Sequence, residues 1–153
     1  FVVHRARLVA GDDEALALLR DPAFDPAREV LLASGRELAG PGPAAAPEAG
    51  FVRYGEDEIQ IRARLDAPGY LVVTDSYDGG WTAEVDGREA TIERADINFR
   101  AVYLEAGEHT VTMRYRPPMV ALGLAAGLAA IGAWLLALVL ALRLERRRPA
   151  LPA

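Results

Sequence analysis

The sequence contains no cysteine and no lysine, and its only two histidines, His4 and His109, lie more than 100 residues apart. Without cysteine there is no disulfide framework, no thiol nucleophile and no cysteine-based metal site. All 17 basic residues are arginine, which reads as a coding bias rather than as chemistry. A glycine-rich phosphate loop, a serine nucleophile elbow and an HExxH pair are all missing. The opening, FVVHRARLVA, has neither a basic n-region nor an apolar h-region, so it is not read as a secretory signal.

One long stretch lacks charge, proline and polar side chains, and the rest of the chain is organised around it. Val120 to Leu142, VALGLAAGLAAIGAWLLALVLAL, is 23 residues long. At a helical rise of about 1.5 Å per residue it reaches roughly 35 Å, enough for a hydrocarbon core of about 30 Å. It is apolar all round, whereas a core helix of a soluble protein keeps a polar stripe. Pro117 and Pro118 precede it, where a missing N–H disturbs a helix least. Arg143, Arg146, Arg147 and Arg148 follow, opposed only by Glu145. That arginine cluster predicts a cytoplasmic C-terminus and places the residues before the span outside. The expectation is a C-terminal piece of a longer membrane protein, whose partners are upstream transmembrane helices and membrane lipid.

Four arginines and one acid lie in that tail, leaving 13 arginines against 21 acids ahead of it, a net charge of −8. So acidic an outward face argues against nucleic acid and anionic lipid as its partners. The basic tail suits an anionic inner leaflet.

Upstream of the span the hydrophobic period is two. Phe1 to Val9 is predicted as one strand, Asp12 as the cap of a short helix to Arg20, and Arg28 to Leu32 as a second strand. Ser34 to Gly50, rich in proline, glycine and alanine, reads as an exposed connector with few anchoring groups. From Phe51 onward, short alternating strands recur every 8–12 residues between turn signals. Ile59, Ile61, Ala63 and Leu65 alternate with polar residues, as do Val111, Met113 and Tyr115. Asp86-Gly87 is the strongest hairpin signal, and Arg88 to Glu93 is expected to return as one strand. The predicted fold is mainly β: an antiparallel β-sandwich with a small α/β N-terminal appendage, followed by one transmembrane helix. The expected divisions are an appendage over 1–34, a linker over 35–50 and an extracytoplasmic sandwich over 51–118. A transmembrane helix over 119–142 and a cytoplasmic basic tail over 143–153 complete the chain.

No residue is assigned a catalytic, cofactor-binding or metal-binding role. His109 sits at a turn-to-strand junction, where a structural role outweighs catalysis. Glu56-Asp57-Glu58 is most simply a solvated hairpin tip, with calcium ligation the competing reading. One local cluster combines an aromatic face with neighbouring hydroxyl-binding groups: Tyr77, Asp78 and Trp81, to which Asp96 and Asn98 add a carboxylate and an amide. These five are the candidate sugar-contact residues. For Trp81 the competing reading is a core indole opening a strand. Gly123 and Gly127 form a GxxxG spacing suited to close packing on another helix.

Several pieces together carry a family resemblance. They are Gly80-Trp81, Val85-Asp86-Gly87, Arg94-Ala95-Asp96, Phe99-Arg100-Ala101-Val102, Ala106-Gly107-Glu108-His109-Thr110-Val111 and Tyr115-Arg116-Pro117. In this order, ahead of a final helix, they resemble the C-terminal region of the YfhO-type bacterial membrane proteins. The opening FVVHRARLV with DDEALALLRDPAFDP is similar to the segment that precedes it. Asp78-Gly79 departs from the Tyr-Pro more usual before Gly-Trp. The resemblance implies a multi-span parent in the bacterial plasma membrane. Such a parent is similar to glycosyltransferases that move sugars from a lipid-phosphate carrier to envelope polymers such as teichoic acid. This chain is then its non-catalytic outer module and last anchor, with an envelope polysaccharide or lipid-linked sugar as partner. The competing reading is a stand-alone β-sandwich binding or adhesion module tethered by one helix.

Overall fold

The structure is a computed structural model and describes residues 1–40 and 48–146. The elements in order are β1 (Val2–Val3), β2 (Arg5–Leu8), α1 (Asp12–Leu19), β3 (Glu29–Leu32), β4 (Glu48–Tyr54), β5 (Glu58–Leu65) and β6 (Gly69–Val73). They continue with β7 (Trp81–Val85), β8 (Arg88–Ala90), β9 (Glu93–Ala95), β10 (Phe99–Leu104), β11 (Gly107–Tyr115) and α2 (Pro118–Arg146). The chain is mainly β, with a short N-terminal helix and a long apolar C-terminal one. All the strands belong to one compact unit, Phe1–Arg116, and helix α2 to a second.

The strands form two sheets. One has six strands in the order β1-β6-β10-β9-β3-β2, the other five in the order β4-β5-β11-β7-β8. Period-two alternation explains why they pack on each other. Ile59, Ile61, Ala63 and Leu65 of β5 and Val111 and Met113 of β11 point to one face. There they meet Leu71, Val73, Val102 and Leu104 of the six-stranded sheet in one buried cluster. The other face of the six-stranded sheet buries Val3, Ala6, Val30, Leu32, Tyr70, Val72, Ala95 and Ala101. Strand β6 is therefore covered on both sides, which is why GYLVV reads as a continuous apolar run.

The Asp86-Gly87 hairpin forms as expected, with both residues at positive φ (52° and 77°). Elsewhere the structure departs from the sequence reading. Phe1 to Val9 is two strands broken at His4. β1 pairs antiparallel with β6, whereas β2 pairs in parallel with β3 through the crossover helix α1. The six-stranded sheet is accordingly mixed, not antiparallel throughout. Strands from residues 1–34 occupy both edges of that sheet.

Asp12 does not cap α1. The N-cap is Gly11, and no side chain bonds the orphan N–H groups there. Asp12 instead pairs with Arg94 at 2.6 Å, and Glu14 reaches back to accept the Ala10 N–H at 2.7 Å. Two of the three acids at this helix start, Asp12 and Glu14, are thus used for tertiary and local ties.

The expected connector is anchored over its first residues. Ala6 and Leu38 exchange two backbone hydrogen bonds of 3.0 Å, and the Arg36 N–H donates to the Tyr70 hydroxyl at 2.7 Å. Its residues 41–47 lie outside the described residues, as do residues 147–153 of the tail with Arg147 and Arg148. From Glu48 the chain is already strand β4. Arg88 to Glu93 is not one returning strand either. β8 ends at Ala90, and Glu93–Ala95 has crossed into the other sheet as β9.

Helix α2 contains one stretch, Leu122–Leu140, long and apolar enough to cross a membrane.

Candidate functional site

The five candidate residues do not form one surface. Asp78 shapes its own loop, its carboxylate accepting the Gly80 N–H at 2.8 Å and its carbonyl the Trp81 N–H at 3.2 Å. Tyr77 and Asn98 are brought together: the Tyr77 N–H donates to the Asn98 carbonyl at 2.7 Å, and the Asn98 amide donates to the Ser76 hydroxyl at 3.2 Å. Asp96 faces β3. Its carboxylate accepts the Leu31 N–H at 2.9 Å and its own N–H donates to the Leu31 carbonyl at 2.8 Å. Burial pushes the Asp96 carboxyl up, and the Leu31 N–H only partly offsets this.

Trp81 opens β7 at an inward register position with Ala83 and Val85, and its half-buried ring packs against the inter-sheet cluster. Its face is covered by the guanidinium of Arg100, 3.9 Å from the ring centre, and Tyr115 lies 5.3 Å away.

Arg100 is the residue that sequence reasoning missed. Within FRAVYL it shares parity with Val102 and Leu104, so strand alternation carries it between the sheets. Its side chain is 2% exposed and ion-paired to Asp75 at 2.9 Å. Among the described residues its Nε and one terminal nitrogen have no acceptor. Burial draws its pKa down, with Asp75 opposing the shift. The signal for it was available: an arginine at an inward position, and an aspartate two residues beyond the inward Val73.

Asp75 extends the arrangement outward. Its two carboxylate oxygens each lie 3.2 Å from the Tyr54 hydroxyl, and Tyr54 meets Phe51 edge to face at 4.9 Å. Phe51, Tyr54, Phe1 and the Val72–Asp75 segment line a groove of about 440 Å³.

His109 has a different role. Its Nδ1 faces the Asp86 carboxylate at 2.7 Å and its Nε2 faces the Glu105 carbonyl at 3.1 Å. Both ring nitrogens are committed to joining two turns, so neither is presented to a substrate as a general base. Asp86 also accepts the Thr110 N–H at 2.8 Å, and this bond, ahead of His109, holds its carboxyl below the usual range. The acids Glu58 and Glu84 converge on Arg114, at 3.1 and 3.3 Å, in an ion-pair network on the outer face of the five-stranded sheet. Among the described residues no group of three or more His, Asp or Glu is placed to hold a metal. Among the described residues the site places aromatic faces beside a carboxylate held by Arg100.

No curated protein and no solved structure matches the chain. The model of the family described as bacterial membrane protein YfhO matches residues 52–127, from strand β4 through both sheets into helix α2. The matched region, about half of the chain, holds Tyr54, Asp75, Trp81, Arg100 and the start of the apolar helix, and over it the chain matches the YfhO family of bacterial membrane proteins.

Proposed function

We propose that this chain is the outer, non-catalytic module and last membrane anchor of a multi-span protein that transfers sugars from a lipid-phosphate carrier to envelope polymers such as teichoic acid. The observation that carries this reading is the joining of one family match, over residues 52–127, to a β-rich unit and one helix long and apolar enough to cross a membrane. In this reading the two sheets are an extracytoplasmic sandwich-like domain covering residues 1–118, and the arginine-rich tail is cytoplasmic. Upstream helices of the parent are its partners within the bilayer, and a glycan or lipid-linked sugar its partner outside.

Two measurements test it. A reporter fused after Ala153 is expected to behave as cytoplasmic, and one inserted between Gly35 and Gly50 as external. A cytoplasmic signal from the inserted reporter would refute the envelope assignment. Glycosyl transfer by the full-length parent should fall when residues 1–116 are deleted, and an unchanged rate would remove the module from that pathway.

A further inference from the structure

We propose that the groove between strand β4 and Val72–Asp75 binds the ring of a neutral sugar. Phe51 and Tyr54 supply the stacking faces and Asp75 accepts the sugar's hydroxyls. The groove is distinct from the Tyr77–Trp81 loop. Its chemistry is read from the residues that line it, and the choice of an envelope glycan as the source rests on the function proposed above.

The first observation is a mismatch between register and burial. Phe51 and Tyr54 stand opposite Ile61 and Ile59 across the β4–β5 pair, so all four lie on one face of the sheet. Ile61 and Ile59 are buried there, yet Phe51 is 58% and Tyr54 62% exposed. Two aromatic rings on the core-facing side of an edge strand thus lie open to solvent. Edge strands more often carry charge or proline at such places.

The second observation is Asp75. Its side chain is 36% exposed, while Arg100 behind it is 2% exposed. A buried arginine with unpartnered donors is a poor stabilising device, because an apolar residue of similar volume does as well or better. What Arg100 does achieve is to hold the partly exposed Asp75 carboxylate at a fixed point on the groove wall, beside the Tyr54 hydroxyl that also reaches it.

The charge balance selects the ligand. An aromatic wall beside a free carboxylate suits an ammonium group. Here the guanidinium 2.9 Å from the carboxylate cancels its charge, leaving strong acceptors with little net attraction for a cation. A neutral polyol fits that balance. The C–H face of a pyranose packs on the rings, and adjacent hydroxyls donate to the carboxylate. The groove volume of about 440 Å³ falls within the about 300–1,000 Å³ usual for small-molecule sites.

The test uses the chain in phosphatidylglycerol nanodiscs, which avoids sugar-headed detergents. Saturation-transfer NMR is recorded with methyl β-glucoside, methyl β-N-acetylglucosaminide and tetramethylammonium as probes. A glycoside should receive saturation at its ring C–H protons, and Phe51→Ala or Tyr54→Ala should weaken binding by about three- to tenfold. Both side chains are exposed, so the thermal midpoint should hold, and Asp75→Asn gives a second variant with the rings intact. Equal transfer in all variants, transfer to tetramethylammonium instead, or none to either glycoside overturns the proposal. A transfer assay on the full-length parent separates the two readings. Sugar binding without transfer would sink the proposed function and keep the groove, whereas transfer without binding would sink the groove alone.

Discussion

The guanidinium carbon of Arg100 lies 3.9 Å from the centre of the Trp81 ring, so one end of the inter-sheet core is closed by a cation stacked on an indole. Both residues sit at inward register positions of their strands, in different sheets. The stack therefore ties the sheets together where the aliphatic cluster ends.

Trp81→Ala is expected to lower stability by about 3 kcal/mol, the low end for a large aromatic because the ring is half-buried. It removes packing against the inter-sheet cluster and strips Arg100 of the ring stacked on it. The double variant Arg100→Met, Asp75→Asn should stay within about 1 kcal/mol of the parent, since an apolar side chain replaces a desolvated ion pair. Thermal or denaturant unfolding of each variant measures both. A Trp81→Ala loss under about 1 kcal/mol would make the indole a surface feature and reopen its candidacy as a sugar contact.

Asp96 gives a pH signature. Burial holds its folded carboxyl above the unfolded value of about 3.9, so its contribution to stability is present in acid and is lost as pH rises through the folded value. Asn keeps the acceptor for the Leu31 N–H and tolerates the positive φ of 45° at this position. Asp96→Asn should then gain stability relative to the parent as pH climbs from about 4 to 7. Parallel pH–stability curves for the two proteins would show that the carboxylate is not penalised.

Asp86 has the opposite sign. Its folded carboxyl is held below the unfolded value of about 3.9, so its contribution is present above that pH and lost as pH falls through the folded value. Asp86→Asn should be less stable than the parent at pH 7 and should converge with it as pH falls through the folded value. The side chain is half-exposed, so the difference is expected to be modest and to shrink in high salt. A difference that persists unchanged into acid would point to the turn backbone and away from charge.

Removing residues 1–33 tests how the two buried clusters depend on the N-terminal strands. The inter-sheet cluster loses only Val2, whereas the cluster on the outer face of the six-stranded sheet loses Val3, Ala6, Val30 and Leu32. A cooperative β transition should survive at lower temperature, with Tyr70, Val72, Ala95 and Ala101 newly uncovered and the protein prone to associate. Complete loss of cooperative unfolding would show that the edge strands are needed for the sheet to form at all.

The parts of this fold that sequence made visible are those decided locally. Asp86-Gly87 sets its own turn through positive φ, and Ile59 to Leu65 or Val111 to Met113 announce a buried face by alternation alone. The parts that were hidden depend on partners distant along the chain. His4 looks like one more strand residue until β1 and β2 are seen to choose different neighbours. Asp12 has the chemistry of a helix cap, and Arg94, 82 residues on, draws it elsewhere. Arg36 to Leu38 read as loose connector because their anchors, Tyr70 and Ala6, belong to other strands. In the candidate site, Tyr77 and Asn98 do meet, but Asp96 faces β3. Arg100 was overlooked because an inward arginine is an exception that alternation predicts only if one trusts the pattern over the residue type. Ile97 makes the same point for backbone: a β-branched residue at φ 73° is legible only in three dimensions.

Strand β11 has β5 on one side and β7 on the other, and it is the strand that continues through Arg116 and Pro117 into helix α2. Its last residues are held from both directions, the Tyr115 N–H by the Asp57 carbonyl at 2.8 Å and the Arg116 N–H by the Gly80 carbonyl at 2.7 Å. A tug on the helix therefore enters the sheet at its middle strand and is shared at once by two ladders, where an edge strand would peel away one bond at a time. The tether is fastened to the mechanically strongest position this sheet offers.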